Sequence, residues 1–245
     1  MQTDPRGASR PDVQIKIGGA AGFGIKAAGR TLARSFAQGG LHTFDLIEYP
    51  SLIRGGHNAY QVRVSPVPLH SHVTPVDVLV ALNTETVMRH ASEVVEGGAI
   101  LYDPKTTSVD SLEDPSRFCL VPVPFDEIVV GAGGQRIMRN VAALGAVLGL
   151  TGYPLEFLTA SLRAQFAHKA PEVAEINVVV AAKGFEYGSK SGCPFPVQLE
   201  PLTDAPPQIL VDGNEAIGLG ALAAGIGMYC AYPMTPGRAH VLTGP

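Results

Sequence analysis

Apolar and polar residues alternate over Val13-Gln14-Ile15-Lys16-Ile17, the two-residue period of a strand. The run enters Gly18-Gly19-Ala20-Ala21-Gly22-Phe23-Gly24, and from Ile25 the period lengthens. Ile25, Ala28, Leu32 and Phe36 recur at helical spacing until Gly39-Gly40, a pair suited to a helix C-terminus. Leu41 to Ile47 reads as a second strand. Strand, glycine loop, helix and strand make a βαβ unit, which requires a parallel sheet and a right-handed crossover.

The pattern continues in the same style. Glu48 to Asn58 is a polar loop, and Ala59 to Ser65 alternates again. Val76 to Leu82 is a nearly continuous apolar run, as expected of a strand buried on both faces. Asn83 or Thr84 is placed to cap a helix reaching about Glu96, with Gly97-Gly98 as its stop. Ala99–Asp103 and Phe118–Val123 read as further strands. Ile137, Val141, Leu144 and Leu148 mark a helix, and Leu155 to Phe166 another. Glu172 to Lys183 carries both a β-branched run and a helical stripe closed by Gly184; the stripe decides for helix. Tyr187 to Pro207, rich in Gly, Ser and Pro, reads as a linker. Beyond it a short strand (Ile209–Val211), a small-residue helix (Ala216–Gly227) and an extended turn (Met228–Pro236) are expected. The fold class is therefore α/β: a Rossmann-like three-layer sandwich on a mostly parallel sheet, followed by a short α/β piece of an incomplete second domain. The boundaries are 12–186, a linker at 187–207, and 208–245.

Composition narrows the function classes. With 18 basic and 22 acidic side chains and a net charge of −4, no basic block offers a nucleic-acid surface. The polar first twelve residues form neither a signal peptide nor an anchor, and no segment reaches membrane-spanning length, so a cytoplasmic setting is expected. The three cysteines lie far apart with no C-x-x-C pair. They therefore make no cluster or zinc site within this chain, and they fit a reducing compartment better than a disulfide framework. The histidines lack carboxylates or cysteines at metal spacing, and no metal site is assigned.

The glycine loop is the clearest local chemistry. Between a first strand and a helix, backbone N–H groups and the helix N-terminus make an anion site. Gly19-x-x-Gly22-x-Gly24 inverts the usual dinucleotide spacing, and the same glycines would also serve a tight turn and close packing. Asp45 or Glu48 stands where a ribose-binding carboxylate would. Lys26, in the first helical turn, opposes the helix dipole unless an anion lies nearby. Arg54, beside Gly55 and Gly56, presents a guanidinium on a glycine-bearing tip, suited to gripping phosphate or carboxylate. On their own, Arg54 and the neighbouring His57 and Asn58 read equally as solvated turn residues.

Taken together, these segments resemble the gamma domain of pyruvate and 2-oxoacid ferredoxin/flavodoxin oxidoreductases. The resemblance rests on the glycine loop, on Tyr49-Pro50-Ser51-Leu52-Ile53-Arg54-Gly55-Gly56-His57-Asn58 through Ser65, on Asp77 to Asn83, and on Arg139-Asn140 to Gly145. After the linker, Asp212-Gly213-Asn214-Glu215-Ala216 with Tyr232-Pro233-Met234-Thr235-Pro236 resembles the opening of the family's alpha, or pyrimidine-binding, domain. Met234 stands where the family carries isoleucine. The resemblance implies oxidative decarboxylation of a 2-oxoacid on thiamine diphosphate with Mg. It also implies electron transfer through iron–sulfur clusters to ferredoxin, and release of the acyl group on coenzyme A. Gly19, Gly22, Phe23, Gly24, Lys26, Arg54, Gly55 and Gly56 would then bind coenzyme A, and Thr235 would meet the substrate carboxylate. The family's pyrimidine-activating glutamate lies downstream of the Tyr-Pro-x-Thr-Pro turn and the chain ends at Pro245. Thiamine diphosphate is accordingly expected to be shared with a beta subunit, in a larger oligomer. Two other readings remain open: an NAD(P)- or FAD-linked oxidoreductase with a variant Rossmann loop, and a non-catalytic docking module that holds coenzyme A or a nucleotide.

Overall fold

The computed structural model describes residues 12–50, 55–166, 171–202, 204–205, 208–230 and 232. The chain divides into two compact units, Met1–Gln208 and Ile209–Pro245. The first unit is built on six strands: β1 (Val13–Ala20), β2 (His42–Glu48), β3 (His57–Ser65), β4 (Val76–Ala81), β5 (Val94–Tyr102) and β6 (Cys119–Pro122). They lie in the order β2-β3-β1-β4-β5-β6. β4, β5 and β6 run parallel to β1, while β3 is antiparallel to both β1 and β2. The sheet is thus mostly parallel, as the βαβ pattern requires, but the second strand of that unit does not pair with the first. β3 is inserted between them, its alternating residues pairing on both sides.

The helices are α1 (Ile25–Gln38), α2 (Thr84–His90), α3 (Phe125–Gly131), α4 (Arg139–Thr151), α5 (Leu155–Phe166) and α6 (Pro171–Ser189). α1 buries Ile25, Ala28, Leu32 and Phe36, the stripe read from the sequence. Its Gly29 approaches β3 so closely that a Cβ would sit 2.1 Å from the Tyr60 ring. Tyr60 pairs with Ile17 and therefore shares its face of the sheet. A Cβ on neighbouring Gly18 would instead strike Thr86 of α2, at 2.4 Å. Residues 17 and 18 point to opposite faces, so α1 and α2 cover opposite sides and the layers number three.

Two local expectations change. α2 stops at His90, short of Glu96, and Gly97-Gly98 lies inside β5. Val94 and Val95 favour strand, and Gly97, at φ 75°, absorbs a register shift between β4 and β5. Gly184 likewise does not close α6, which runs on to Ser189; that glycine packs against the α4 backbone instead. α3, with Phe125, Ile128 and Val129 buried, escapes the sequence reading although its apolar spacing is helical. Cys119 and Cys193 are joined as a disulfide with Cα atoms 5.8 Å apart, against the expectation that the cysteines fit a reducing compartment better than a disulfide framework; Cys230 is free and exposed.

In the second unit, α7 (Gly213–Ala223) starts on a capping box. The Asp212 carboxylate accepts from the Glu215 N–H at 3.0 Å, and Glu215 accepts from the Asp212 N–H at 2.8 Å. The helix is displaced toward the N-terminus from the expected Ala216–Gly227, because the cap lies at Asp212. Ile209–Val211 forms no strand.

Candidate functional site

The carboxyl ends of β1 and β4 lie side by side. From β1 the chain leaves through α1 on one face; from β4 it leaves through α2 on the other. Such a reversal opens a crevice where open α/β sheets bind their ligands. The glycine loop forms one lip. Gly22 (φ 88°) and Gly24 (φ 74°) take left-handed conformations, and a Cβ at Gly22 would meet nothing within 4 Å. Gly24 is the N-cap of α1; no side chain caps that helix and no acidic residue stands in its first turn. The partial positive charge of this helix start is therefore left for an outside anion. Lys26 is exposed on the same turn.

The loop is braced from three directions. The Ala21 N–H donates to the Gly56 carbonyl at 2.9 Å, which brings the Gly55-Gly56 pair against the glycine loop. Both glycines have positive φ and are exposed. Asn140 Nδ2 donates to the Phe23 carbonyl oxygen. The Arg139 guanidinium lies over the Phe23 ring with its Cζ 4.0 Å from the centroid. Gly19, buried beneath, gives room for Phe23 and Ile25. The structure thus gathers Gly19, Gly22, Phe23, Gly24, Lys26, Gly55 and Gly56 at one end of the sheet. Arg54 and Thr235 lie outside the described residues.

Sequence reasoning misses Arg139 as a site residue. It is 6% exposed, and among the described residues it has neither a hydrogen-bond nor an ion-pair partner. Burial lowers its pKa, Asp126 and Asp103 acting against that shift and Arg136 with it. Like α1, α4 begins with no side-chain cap and no acid in its first turn. Its first residue is Arg139 itself. A cation in the first turn of a helix opposes the dipole, an effect softened here because a 3-10 turn over Arg136–Met138 leads into α4 and the Arg139 N–H donates to the Arg136 carbonyl.

A second polar group lies on the α2 side of the sheet. The polar half of β1's alternation does not face water: Gln14 and Lys16 are 1% and 2% exposed. Lys16 Nζ reaches Glu93 at 2.5 Å and Glu48 at 3.3 Å, and Gln14 donates to Gln61 at 2.7 Å. His90 Nδ1 lies 2.7 Å from Glu93, and His90 Nε2 lies 3.0 Å from His57 Nε2. Burial followed by His90 pushes the His57 pKa below 6.5. Hydrogen bonds from Lys16 and His90 outweigh burial at Glu93 and hold its carboxyl low.

The carboxylates considered for a nucleotide ribose are engaged elsewhere. Asp45 accepts from the Tyr60 hydroxyl, and Glu48 meets Lys16 and Gln61. Because β3 separates β2 from β1, the end of β2 is also not adjacent to the glycine loop, as a dinucleotide fold would have it. No three His, Cys, Asp or Glu residues among those described are grouped to hold a metal ion, and no helix there is long and apolar enough to cross a membrane.

A sequence model described as "Pyruvate ferredoxin/flavodoxin oxidoreductase" matches residues 14–187. The chain belongs to this family. It is 27% identical to the alpha subunit of 2-oxoacid:ferredoxin oxidoreductase 2 of Aeropyrum pernix, over 94% of this chain and 42% of that protein. Its fold superposes with a TM-score of 0.84 on the 2-oxoglutarate:ferredoxin oxidoreductase of Magnetococcus marinus with 2-oxoglutarate, coenzyme A and succinyl-CoA bound. That match has 27% identity and covers 94% of this chain and 40% of the other. The gamma subunit of the keto/oxoacid ferredoxin oxidoreductase of Geobacter sulfurreducens matches with a TM-score of 0.63 and 25% identity, over 74% of this chain and 98% of that subunit. This chain therefore spans about two-fifths of the first two relatives, and a separate gamma subunit corresponds to its larger part.

Proposed function

We propose that this chain is part of a 2-oxoacid:ferredoxin oxidoreductase and that its crevice at β1 and β4 receives the diphosphate of coenzyme A. Residues 12–186 act as the gamma domain, 187–207 as a linker, and 208–245 as the opening of the alpha domain. The observation that carries the reading is the uncapped start of α1 behind an open, positive-φ glycine loop at the sheet's switch point. Relatives that bind coenzyme A or are named as gamma subunits support it.

In the assembled enzyme a 2-oxoacid is decarboxylated, electrons pass to ferredoxin, and the acyl group leaves on coenzyme A. Thiamine diphosphate with Mg is shared with a beta subunit, and the iron–sulfur cluster lies in that partner. The role of this chain is to bind and orient the acyl acceptor, with Arg54 joining the cradle and Thr235 meeting the substrate carboxylate.

Calorimetric titration of the whole chain with coenzyme A, NADPH and FAD tests the proposal. Binding of coenzyme A alone supports it. Binding of NADPH or FAD with no response to coenzyme A refutes it. Reduction of ferredoxin by a 2-oxoacid should appear only when a beta subunit is added.

A further inference from the structure

Arg139 is 6% exposed, its guanidinium is stacked on Phe23 of the glycine loop, and it forms no hydrogen bond or ion pair among the described residues. Buried charges in proteins are ordinarily paired, since an isolated ion in a low-dielectric site is costly. Here the surroundings add to the imbalance. The starts of α1 and α4 meet at Phe23, where Asn140 of α4 clasps the loop carbonyl. Neither helix has a side-chain cap or a first-turn acid. Lys26, Arg136 and Arg139 stand on or just before those two starts. Asp126, the acid that acts most strongly on Arg139, lies 3.8 Å from Arg136, with its own Oδ1 buried and unpartnered.

We infer that Arg139 is a binding residue for a phosphate-class anion, held by the Phe23 ring so that its free N–H groups face a diphosphate seated on the glycine loop. Stacking fixes the plane of the guanidinium, and a planar fork matches two phosphate oxygens where a lysine ammonium would act only as a point charge. The ligand supplies the missing counter-charge, and the loop, the two helix starts and Arg139 form one site. This rests on the function proposed above and adds to it the side chain that makes the crevice select phosphate.

The test uses the whole chain with Arg139→Met and Arg139→Lys, titrated with coenzyme A and with pantetheine, which shares the thiol arm but lacks the diphosphate. Arg139→Met should weaken coenzyme A binding at least tenfold and leave pantetheine unchanged. Arg139→Lys, which keeps the charge, should fall between Met and wild type. The wild-type affinity for coenzyme A should drop as KCl rises, and the Arg139→Met affinity should drop less steeply. Without ligand, Arg139→Met should melt no lower than wild type, because it removes an unpaired buried charge. Wild-type coenzyme A affinity in Arg139→Met overturns the inference while leaving the crevice intact. So does a Lys variant as weak as Met, or a Met variant whose unliganded melting point falls. If wild type itself ignores coenzyme A, the proposed function fails and the role of Arg139 fails with it.

Discussion

α4 and α6 are pressed together through four glycines, and this contact allows a quantitative prediction. A Cβ on Gly184 would lie 2.0 Å from the Ala142 carbonyl oxygen, and one on Gly188 would lie 2.0 Å from that of Ala146. Reciprocally, Gly145 would meet the Ala181 oxygen at 2.1 Å and Gly149 that of Phe185 at 2.2 Å. Each opposing atom is backbone, so no side chain swings away. Ordinary carbon–oxygen contact is about 3.3 Å, so Gly184→Ala must separate the helices by roughly 1 Å. A gap of that size forfeits about a quarter to a half of the dispersion energy along the contact. Overpacking costs about 1–3 kcal/mol, and rigid backbone puts this case at the upper end. Alanine returns up to about 1 kcal/mol in helix propensity. The net loss is about 2 kcal/mol, a fall in Tm of roughly 4–8 °C for a unit of this size. Thermal unfolding followed by circular dichroism is the assay, with Gly131→Ala as the control. Gly131 ends α3 without a positive φ, and a Cβ there would meet nothing within 4 Å. The control should melt at or above wild type. A Gly184→Ala protein that behaves like the control would refute the close-packing argument.

Two further predictions concern the interior. Tyr153 is fully buried, stands edge-on to Phe36, and donates to the Phe36 carbonyl at 3.3 Å. Tyr153→Phe should lose about 1 kcal/mol in urea unfolding and Tyr153→Ala about 3–5 kcal/mol, and equal losses would show that the hydroxyl, not the ring, matters. Burial also raises the Tyr153 pKa, so its ultraviolet absorbance should show no ionisation at about pH 10, the ordinary tyrosine value, while the chain stays folded. On the α2 side, the folded pKa of His57 lies below 6.5, so the unfolded chain binds more protons as pH drops through that value. Stability from His57 is thus present above pH 6.5 and lost below it. Glu93, also lowered, adds a second loss below pH 4.5. His57→Gln should flatten the first phase of a stability-against-pH curve, and a histidine NMR titration midpoint above 6.5 would contradict the assignment.

What the sequence discloses divides along a physical line. The glycine loop, the α1 stripe, its Gly39-Gly40 end and the buried β4 run are local, since the residues that define each lie within one or two turns of one another. The order of the strands is not local. That β3 intervenes between β1 and β2 depends on which edges pair, and an alternating run such as Ala59–Ser65 says only that one face is covered, not by whom. Glycine is the least legible residue. Gly97 and Gly184 each resemble a helix stop in sequence, yet one absorbs a strand irregularity and the other admits a neighbouring backbone, because absence of a side chain serves all three purposes. Buried cations are hard to read for the related reason that their partners are remote. Lys16 alternates like a solvent-facing strand residue, and its carboxylates arrive from Glu48 and Glu93. Arg139 and Asn140 both meet Phe23, which lies 117 positions from Asn140 along the chain. Lys16 and Arg139 then part company in a way that only the fold reveals. Both are almost wholly buried, but Lys16 forms ion pairs with two carboxylates, whereas Arg139 forms none among the described residues and feels Asp126 and Asp103 only at longer range. That difference is what the inferred phosphate-class anion would complete, at the glycine-loop end of the sheet.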